Sequence, residues 1–125
     1  NEGIDVLDGH LYFANNWWLL FYSLDLDAGT WTSTSTIGGM FDGTPDQLAR
    51  IVGGRDEILY FTEDGETCGA PSGVHGRDGT GKFFSVVESE DWEESSGLAF
   101  SPDGRRMYFA DQIDGALYEV WREGQ

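Results

Sequence analysis

The sequence predicts an all-β fold in which consecutive four-stranded antiparallel sheets form the blades of a β-propeller. The strongest observation is a tripeptide, Leu-Tyr-Phe or Met-Tyr-Phe, that recurs every 48 residues, at positions 11–13, 59–61 and 107–109. A repeat of roughly 40–50 residues is typical of propeller blades. The 18 glycines, against 3 prolines, fit many short strands joined by tight turns. No segment shows the periodicity of an amphipathic helix.

The third repeat shows the expected order of elements within a blade. Residues 96–122 alternate short apolar strands with a Ser-Pro-Asp-Gly turn and a second turn that contains glycine. Pro102 sets φ for the first turn, and Asp103-Gly104 tolerates the positive φ that such turns require. Asp8-Gly9 gives the same hairpin signal in the first repeat.

The chain is predicted to form one partial propeller over residues 1–125, with blade units at about 1–44, 45–92 and 93–125. The first two units contain four strands each and the third contains three. Propellers usually close with about four to eight blades, so three units predict an incomplete ring. Two ways to complete it stay open: further blades of a longer chain, which we favour, or identical copies that assemble into a ring or an array.

Composition excludes two classes of partner. The net charge of −16, from 23 acidic and 7 basic residues, argues against nucleic-acid binding, which needs a basic surface. No apolar run approaches the roughly 18 residues needed to span a membrane.

A strongly acidic surface suits a saline or calcium-rich setting, in which divalent cations screen and bridge carboxylates. Cys68 is the only cysteine, so no disulfide can form within the chain.

The candidate metal ligands are acidic residues at equivalent ends of the predicted strands. Glu2 and Glu94 precede the inner strands of the first and third units, and Glu63-Asp64 ends the Leu-Tyr-Phe strand of the second. Any one of these carboxylates alone is more often simply solvated. Their recurrence in three units favours an oxygen-rich site for Ca²⁺ or another hard cation at one rim of the propeller.

The sequence gives weaker evidence of function for the remaining candidate residues, which are two tryptophans, two histidines and one cysteine. Trp17-Trp18 precedes a strand, where the pair is predicted to bind a sugar or a neighbouring subunit, or simply to cap the blade. His10 and His75 each stand alone in the sequence and are interpreted mainly as structural residues. Cys68 has no His–Asp pair in its sequence neighbourhood, which argues against a nucleophilic role.

Three ordered motifs resemble those of PhoX-type alkaline phosphatases, a family of calcium-dependent β-propellers with algal and bacterial relatives. The motifs are EGIDVLDGHLYF, PDQL followed by LYFTEDG, and ESSGLAFSPDGRRMYFADQ; Thr62 stands where the family has cysteine. The resemblance implies a secreted or cell-surface protein that binds calcium, and also iron. It implies metal ligands at four positions: Glu2, Glu63, Asp64 and Glu94. It also implies phosphate-monoester hydrolysis by the complete protein, while the isolated chain is expected to be inactive.

The alternative is a non-catalytic module of an extracellular assembly, structural or adhesive, that associates with copies of itself. Open blade edges, the acidic surface and Trp17-Trp18 favour this interpretation. The sequence alone leaves open whether the protein is an enzyme.

Overall fold

The computed structural model describes residues 1–36, 44–54, 57–65 and 71–123. These residues form eleven strands, and none of them lies in a helix. Sheet 1 contains β1 (Ile4–Leu7), β2 (His10–Asn15), β3 (Leu20–Asp25) and β4 (Trp31–Ser35). Sheet 2 contains β5 (Thr44–Arg50), β6 (Leu59–Asp64), β7 (Ser72–Arg77) and β8 (Phe83–Ser89). Sheet 3 contains β9 (Ser95–Phe100), β10 (Arg106–Asp111) and β11 (Ala116–Trp121).

Each sheet is an antiparallel meander whose strands follow one another in chain order. Sheet 1 packs on sheet 2 through β1, β2 and β5, and sheet 2 packs on sheet 3 through β5, β6 and β9. The prediction of all-β propeller blades is therefore confirmed, and the three sheets do not close a ring. Over the described ranges, no helix has the length and hydrophobicity to cross a membrane.

The turns have the chemistry that the sequence predicts. Asp8 and Gly9 join β1 to β2 with φ values of 48° and 72°, the left-handed geometry of a two-residue hairpin turn. In the Ser-Pro-Asp-Gly turn, the Gly104 amide donates to the Ser101 carbonyl at 2.8 Å. The Ser101 hydroxyl and then the Arg105 amide donate to the Asp103 carboxylate, and these bonds lower the pKa of that side chain.

The repeated tripeptides hold the sheets together, because successive residues of a strand point to opposite faces. In β6, Phe61 points toward sheet 1, with its ring 5.9 Å from that of Phe21. Tyr60 points the other way, with its ring 4.7 Å from that of Phe100 in sheet 3. Two buried clusters result. One is centred on Phe21 and Phe61 between sheets 1 and 2, and the other joins Val74 to sheet 3.

Among the described residues, sheet 2 is covered on both faces, whereas sheets 1 and 3 are each covered on one. The register places eight apolar residues on the outer face of sheet 1: Ile4, Val6, Leu11, Phe13, Leu20, Tyr22, Leu24 and Trp31. Phe13 and Tyr22 stack there at 4.6 Å, and Trp31 is 64% exposed. The outer face of sheet 3 is more polar, because the Arg106 guanidinium pairs with Glu119 at 2.6 Å.

We expect Phe61→Ala to lower the free energy of unfolding by about 3–5 kcal/mol, because a buried ring leaves a cavity. Phe13→Ala removes the same ring at the equivalent position of sheet 1 and should cost clearly less, since its face is open. Urea unfolding of the two variants, followed by tryptophan fluorescence, measures the difference. Equal losses would contradict the open outer face of sheet 1.

Candidate functional site

The inner strands β1 and β5 approach each other unusually closely at Gly3. The Gly3 amide donates to the Asp46 carbonyl at 2.8 Å, and the Glu2 amide donates to the Ala14 carbonyl at 3.1 Å. A Cβ atom on Gly3 would lie 2.2 Å from the Leu48 backbone nitrogen, so any other residue would push the strands apart. The glycine therefore allows Glu2 to lie next to Asp46.

A second backbone contact brings the end of β6 to the start of β9. Asp64 and Glu94 form an isolated antiparallel bridge, and the Gly65 amide donates to the Glu93 carbonyl at 3.0 Å. The Gln112 amide, which follows β10, donates to the Glu94 carbonyl at 2.8 Å. Acidic residues from all three sheets consequently meet at the same end of the inner strands.

These residues line a polar cavity of about 240 Å³, called the acidic pocket below. Its carboxylates are those of Glu2, Asp46, Asp64 and Glu94, and no lysine, arginine or histidine belongs to its described lining. The other lining residues are Asn16, Thr44, Gln47, Ser96 and Gln112. Because every lining side chain carries oxygen, the arrangement can supply the hard ligands that calcium prefers.

Amide side chains orient two of the carboxylates. Asn16 Nδ2 donates to Glu2 Oε1 at 2.7 Å, and Gln47 Nε2 donates to Asp46 Oδ1 at 3.0 Å. Asp46 is buried, and this burial is the main reason why its pKa is raised. The neighbouring charges of Glu2 and Asp64 raise the pKa further, against the hydrogen bonds from Gln47 and Ser96. The pocket thus holds negative charge at an electrostatic cost.

The structure brings three of the four predicted metal ligands together in the acidic pocket: Glu2, Asp64 and Glu94. Glu63 lies elsewhere, since adjacent residues of a strand point to opposite faces. Its side chain is buried in sheet 2, with Oε2 at 2.5 Å from His75 Nε2. Metal binding by any of the four stays a prediction.

Sequence reasoning missed Asp46 and Gln47. The signal was available, because Asp46 lies 48 residues before Glu94, which is the period of the repeat. The prediction instead names Glu63-Asp64 on β6, whose Asp64 pairs with Thr44 at the same end of the hairpin.

Trp17 and Trp18 lie on the turn between β2 and β3, where they are 81% and 66% exposed. The residue before them, Asn16, lines the acidic pocket. Their predicted role in binding stays a prediction. His10 stacks on Tyr12 at 6.0 Å, in keeping with a structural role. Cys68 lies outside the described residues.

No protein-family model matches the chain, and no curated protein matches it. Several solved structures match the chain, and two are described here. A candidate gluconolactonase has 19% identity and a TM-score of 0.74, with 98% of this chain and 46% of that one covered. The calcium-binding protein regucalcin from Agrobacterium tumefaciens strain C58 has 17% identity and a TM-score of 0.49, with 98% and 54% covered. The chain spans about half the length of these structures, and identities this low establish the fold alone.

These comparisons correct the resemblance to PhoX-type alkaline phosphatases, which is wrong. The solved structure that matches with a TM-score of 0.74 is a candidate gluconolactonase, and no family model supports a phosphatase. The motifs behind the resemblance encode turn and strand geometry that many propellers need, so they report the fold and not the chemistry. Phosphate-monoester hydrolysis and iron lose their support with it.

We expect Asp46→Asn to raise the free energy of unfolding at pH 7 in the absence of divalent cations. The substitution removes an unfavourable buried charge, and the asparagine oxygen can still accept from Gln47. The folded-state pKa of Asp46 is raised, so the protonated carboxyl favours the folded state of the wild type. The free energy of unfolding that this group contributes therefore falls as pH rises from about 4 through the raised pKa. The gain should therefore be present at pH 7 and disappear near pH 3, as measured by urea unfolding.

Asp27→Asn serves as the matched control, because Asp27 is exposed on the turn between β3 and β4. This variant loses the same charge and should show no such pH-dependent gain. An Asp46→Asn protein less stable than wild type at pH 7 would contradict the assignment of a costly charge to the pocket.

Proposed function

We propose that the acidic pocket binds a hard divalent cation, with calcium as the preferred ion. The observation that carries the proposal is the meeting of four carboxylates from three sheets around one cavity whose described lining includes no cationic side chain. Calcium takes about six to eight oxygen ligands, including carbonyl groups and waters. The absence of imidazole and thiolate ligands from this described lining favours calcium over zinc.

Electrostatic attraction between the carboxylates of the acidic pocket and a divalent cation would drive binding. Two unit charges 4 Å apart interact by about 4 kcal/mol at an effective dielectric constant near 20, so a divalent cation turns mutual repulsion in the pocket into attraction. Among the described residues, no three of the pocket's acidic side chains bring ligand atoms within 4.8 Å of one another. We therefore expect waters to complete the coordination, or the carboxylates to move inward when the ion binds.

Trp17 and Trp18 are exposed and directly follow Asn16, which lines the pocket, so we propose that they form a platform on which a sugar ring or similar ligand stacks beside the cation. Extracellular calcium modules bind at about 10⁻⁴–10⁻³ M. We therefore propose a secreted or cell-surface location, where the protein meets calcium at such concentrations.

Isothermal titration calorimetry with calcium tests the proposal. We expect wild type to bind Ca²⁺ in the range of about 10⁻⁴–10⁻³ M. Asp46→Asn and Glu94→Gln should each weaken binding by about tenfold or more, since each removes one charged ligand. Asp27→Asn should bind as wild type does. Failure of wild type to bind at millimolar calcium, or unchanged binding by both pocket variants, would overturn the proposal.

A second candidate function is self-association, which the outer face of sheet 1 favours. Within the chain, the face that carries the first and third tripeptide residues always packs on the preceding sheet: Phe61 meets sheet 1, and Phe109 meets Val74 of sheet 2. Phe13 occupies the same position but has no preceding sheet among the described residues. We propose that sheet 3 of a second copy covers it, because two copies related by a two-fold axis then close a ring.

Sedimentation velocity over a range of protein concentrations tests this association. We expect wild type to dimerise and Ile4→Glu to remain monomeric, since Ile4 is a 63% exposed member of the outer face of sheet 1. Val52→Glu is the control, because Val52 is more exposed than Ile4, at 75%, but lies on the turn between β5 and β6. A wild-type chain that stays monomeric at high concentration would contradict the proposal.

A further inference from the structure

Sheet 2 contains a buried chain of polar side chains that the acidic pocket does not use. It consists of Glu63 on β6, His75 on β7, and Ser85 and Glu88 on β8, and is called the histidine cluster below. Glu63 and His75 are 1% and 0% exposed, whereas the Glu88 side chain is 40% exposed and gives access from solvent. Among the described residues, only this cluster brings three potential metal-ligating side chains within 4.8 Å of one another.

Local sheet geometry builds the cluster. The pairing of β7 with β8 shifts between Val74 and His75, so Ser85 lies opposite His75. Gly73 lets β8 and the Glu88 side chain approach, because a Cβ atom there would lie 2.2 Å from the Val87 carbonyl oxygen and 3.0 Å from Glu88 Cγ. Three contacts in series follow: Glu63 Oε2 to His75 Nε2 at 2.5 Å, His75 Nδ1 to Ser85 Oγ at 3.1 Å, and Ser85 Oγ to Glu88 Oε1 at 2.9 Å.

The number of polar hydrogens on these side chains decides whether all three contacts can be hydrogen bonds at once. A neutral histidine and a serine carry one polar hydrogen each, and an ionised carboxylate carries none. If Nε2–H donates to Glu63, the serine hydrogen can satisfy either His75 Nδ1 or Glu88, but not both. All three contacts become favourable when one positive charge is added to the cluster, as a proton on the imidazole, as a proton on the buried Glu63 carboxyl, or as a metal cation bound on the Nδ1 side.

The positions of the three atoms on that side fit a metal ion. His75 Nδ1, Ser85 Oγ and Glu88 Oε1 form a triangle with edges of 3.1, 2.9 and 3.7 Å. Ligands of tetrahedral zinc lie about 2.0–2.1 Å from the ion, and therefore about 3.3–3.4 Å from one another. The triangle departs from that spacing by a few tenths of an ångström, which small side-chain rotations can correct.

We propose that the histidine cluster binds a divalent transition metal of the zinc class. His75 Nδ1 and Glu88 are the charged and strong ligands, Ser85 is a neutral oxygen ligand, and solvent completes the shell beside exposed Glu88. Glu63 accepts the Nε2 hydrogen and is a positioning residue, as carboxylates commonly are behind metal-bound histidines. Two carboxylates and one divalent ion leave the cluster neutral. The nitrogen ligand separates this site from the all-oxygen acidic pocket.

The test titrates the full 125-residue chain with Co²⁺ and Zn²⁺ in the Cys68→Ser background, which removes the one thiol, and with excess Ca²⁺ to occupy the acidic pocket. We expect one Co²⁺ to bind, with visible absorption typical of a low-coordinate site, and Zn²⁺ to displace it. Glu88→Gln should weaken Zn²⁺ binding by about tenfold or more, and Glu63→Gln by about 10–100-fold. Glu90→Gln, an exposed neighbour on the turn after β8, should leave binding unchanged.

Nitrogen-15 NMR of His75 gives an independent readout. With Zn²⁺ bound, we expect Nδ1 to show a metal-coordinated shift and Nε2 to keep its hydrogen. An imidazole doubly protonated at neutral pH in excess Zn²⁺, or equal zinc affinity in wild type and Glu88→Gln, would overturn the proposal and assign the charge to a proton. Asp46→Asn should bind zinc normally, so failure of calcium binding and failure of this proposal can be told apart.

Discussion

The packing of one sheet on the next, through side chains that alternate along the central strands, is the constraint on which the rest of this structure depends. Tyr60 and Phe61 are neighbours in β6 yet contact different sheets. A strand that is covered on both faces cannot shift by one residue without exchanging all of its contacts. Each sheet is thereby fixed relative to the next, and the inner strands β1, β5 and β9 lie side by side.

Both candidate sites follow from that arrangement. At the end of the inner strands, the Gly3–Asp46 hydrogen bond and the Asp64–Glu94 bridge bring acidic residues of three sheets to one cavity. Their mutual repulsion would be unfavourable at an unconstrained surface, where side chains can turn apart. Within sheet 2, the same alternation turns Glu63 away from the pocket and toward His75, so two adjacent acids serve environments of different chemistry.

Much of the acidic pocket was predictable, and the parts that were missed have a physical explanation. Glu2 and Glu94 were found because equivalent strand ends of a repeat must lie at the same rim. Glu63 and Asp64 could not be separated from the sequence, because the face that each side chain takes depends on which neighbouring sheet covers it. The histidine cluster was invisible, since the shift in register that sets Ser85 opposite His75 leaves no compositional signal.

The sequence by itself determined the all-β class, the repeat of the blades and their turns, because strand alternation, Asp-Gly turns and a 48-residue period are local properties of the chain. It did not determine chemistry: motifs that set turn geometry suggested a phosphatase, which the match to a candidate gluconolactonase and the lack of a matching family model contradict. Only the tertiary structure decided which carboxylates meet, how Asp46 is buried, and that His75 lies between Glu63 and Ser85. Those contacts join residues far apart in sequence, and sheet packing alone fixes their distances.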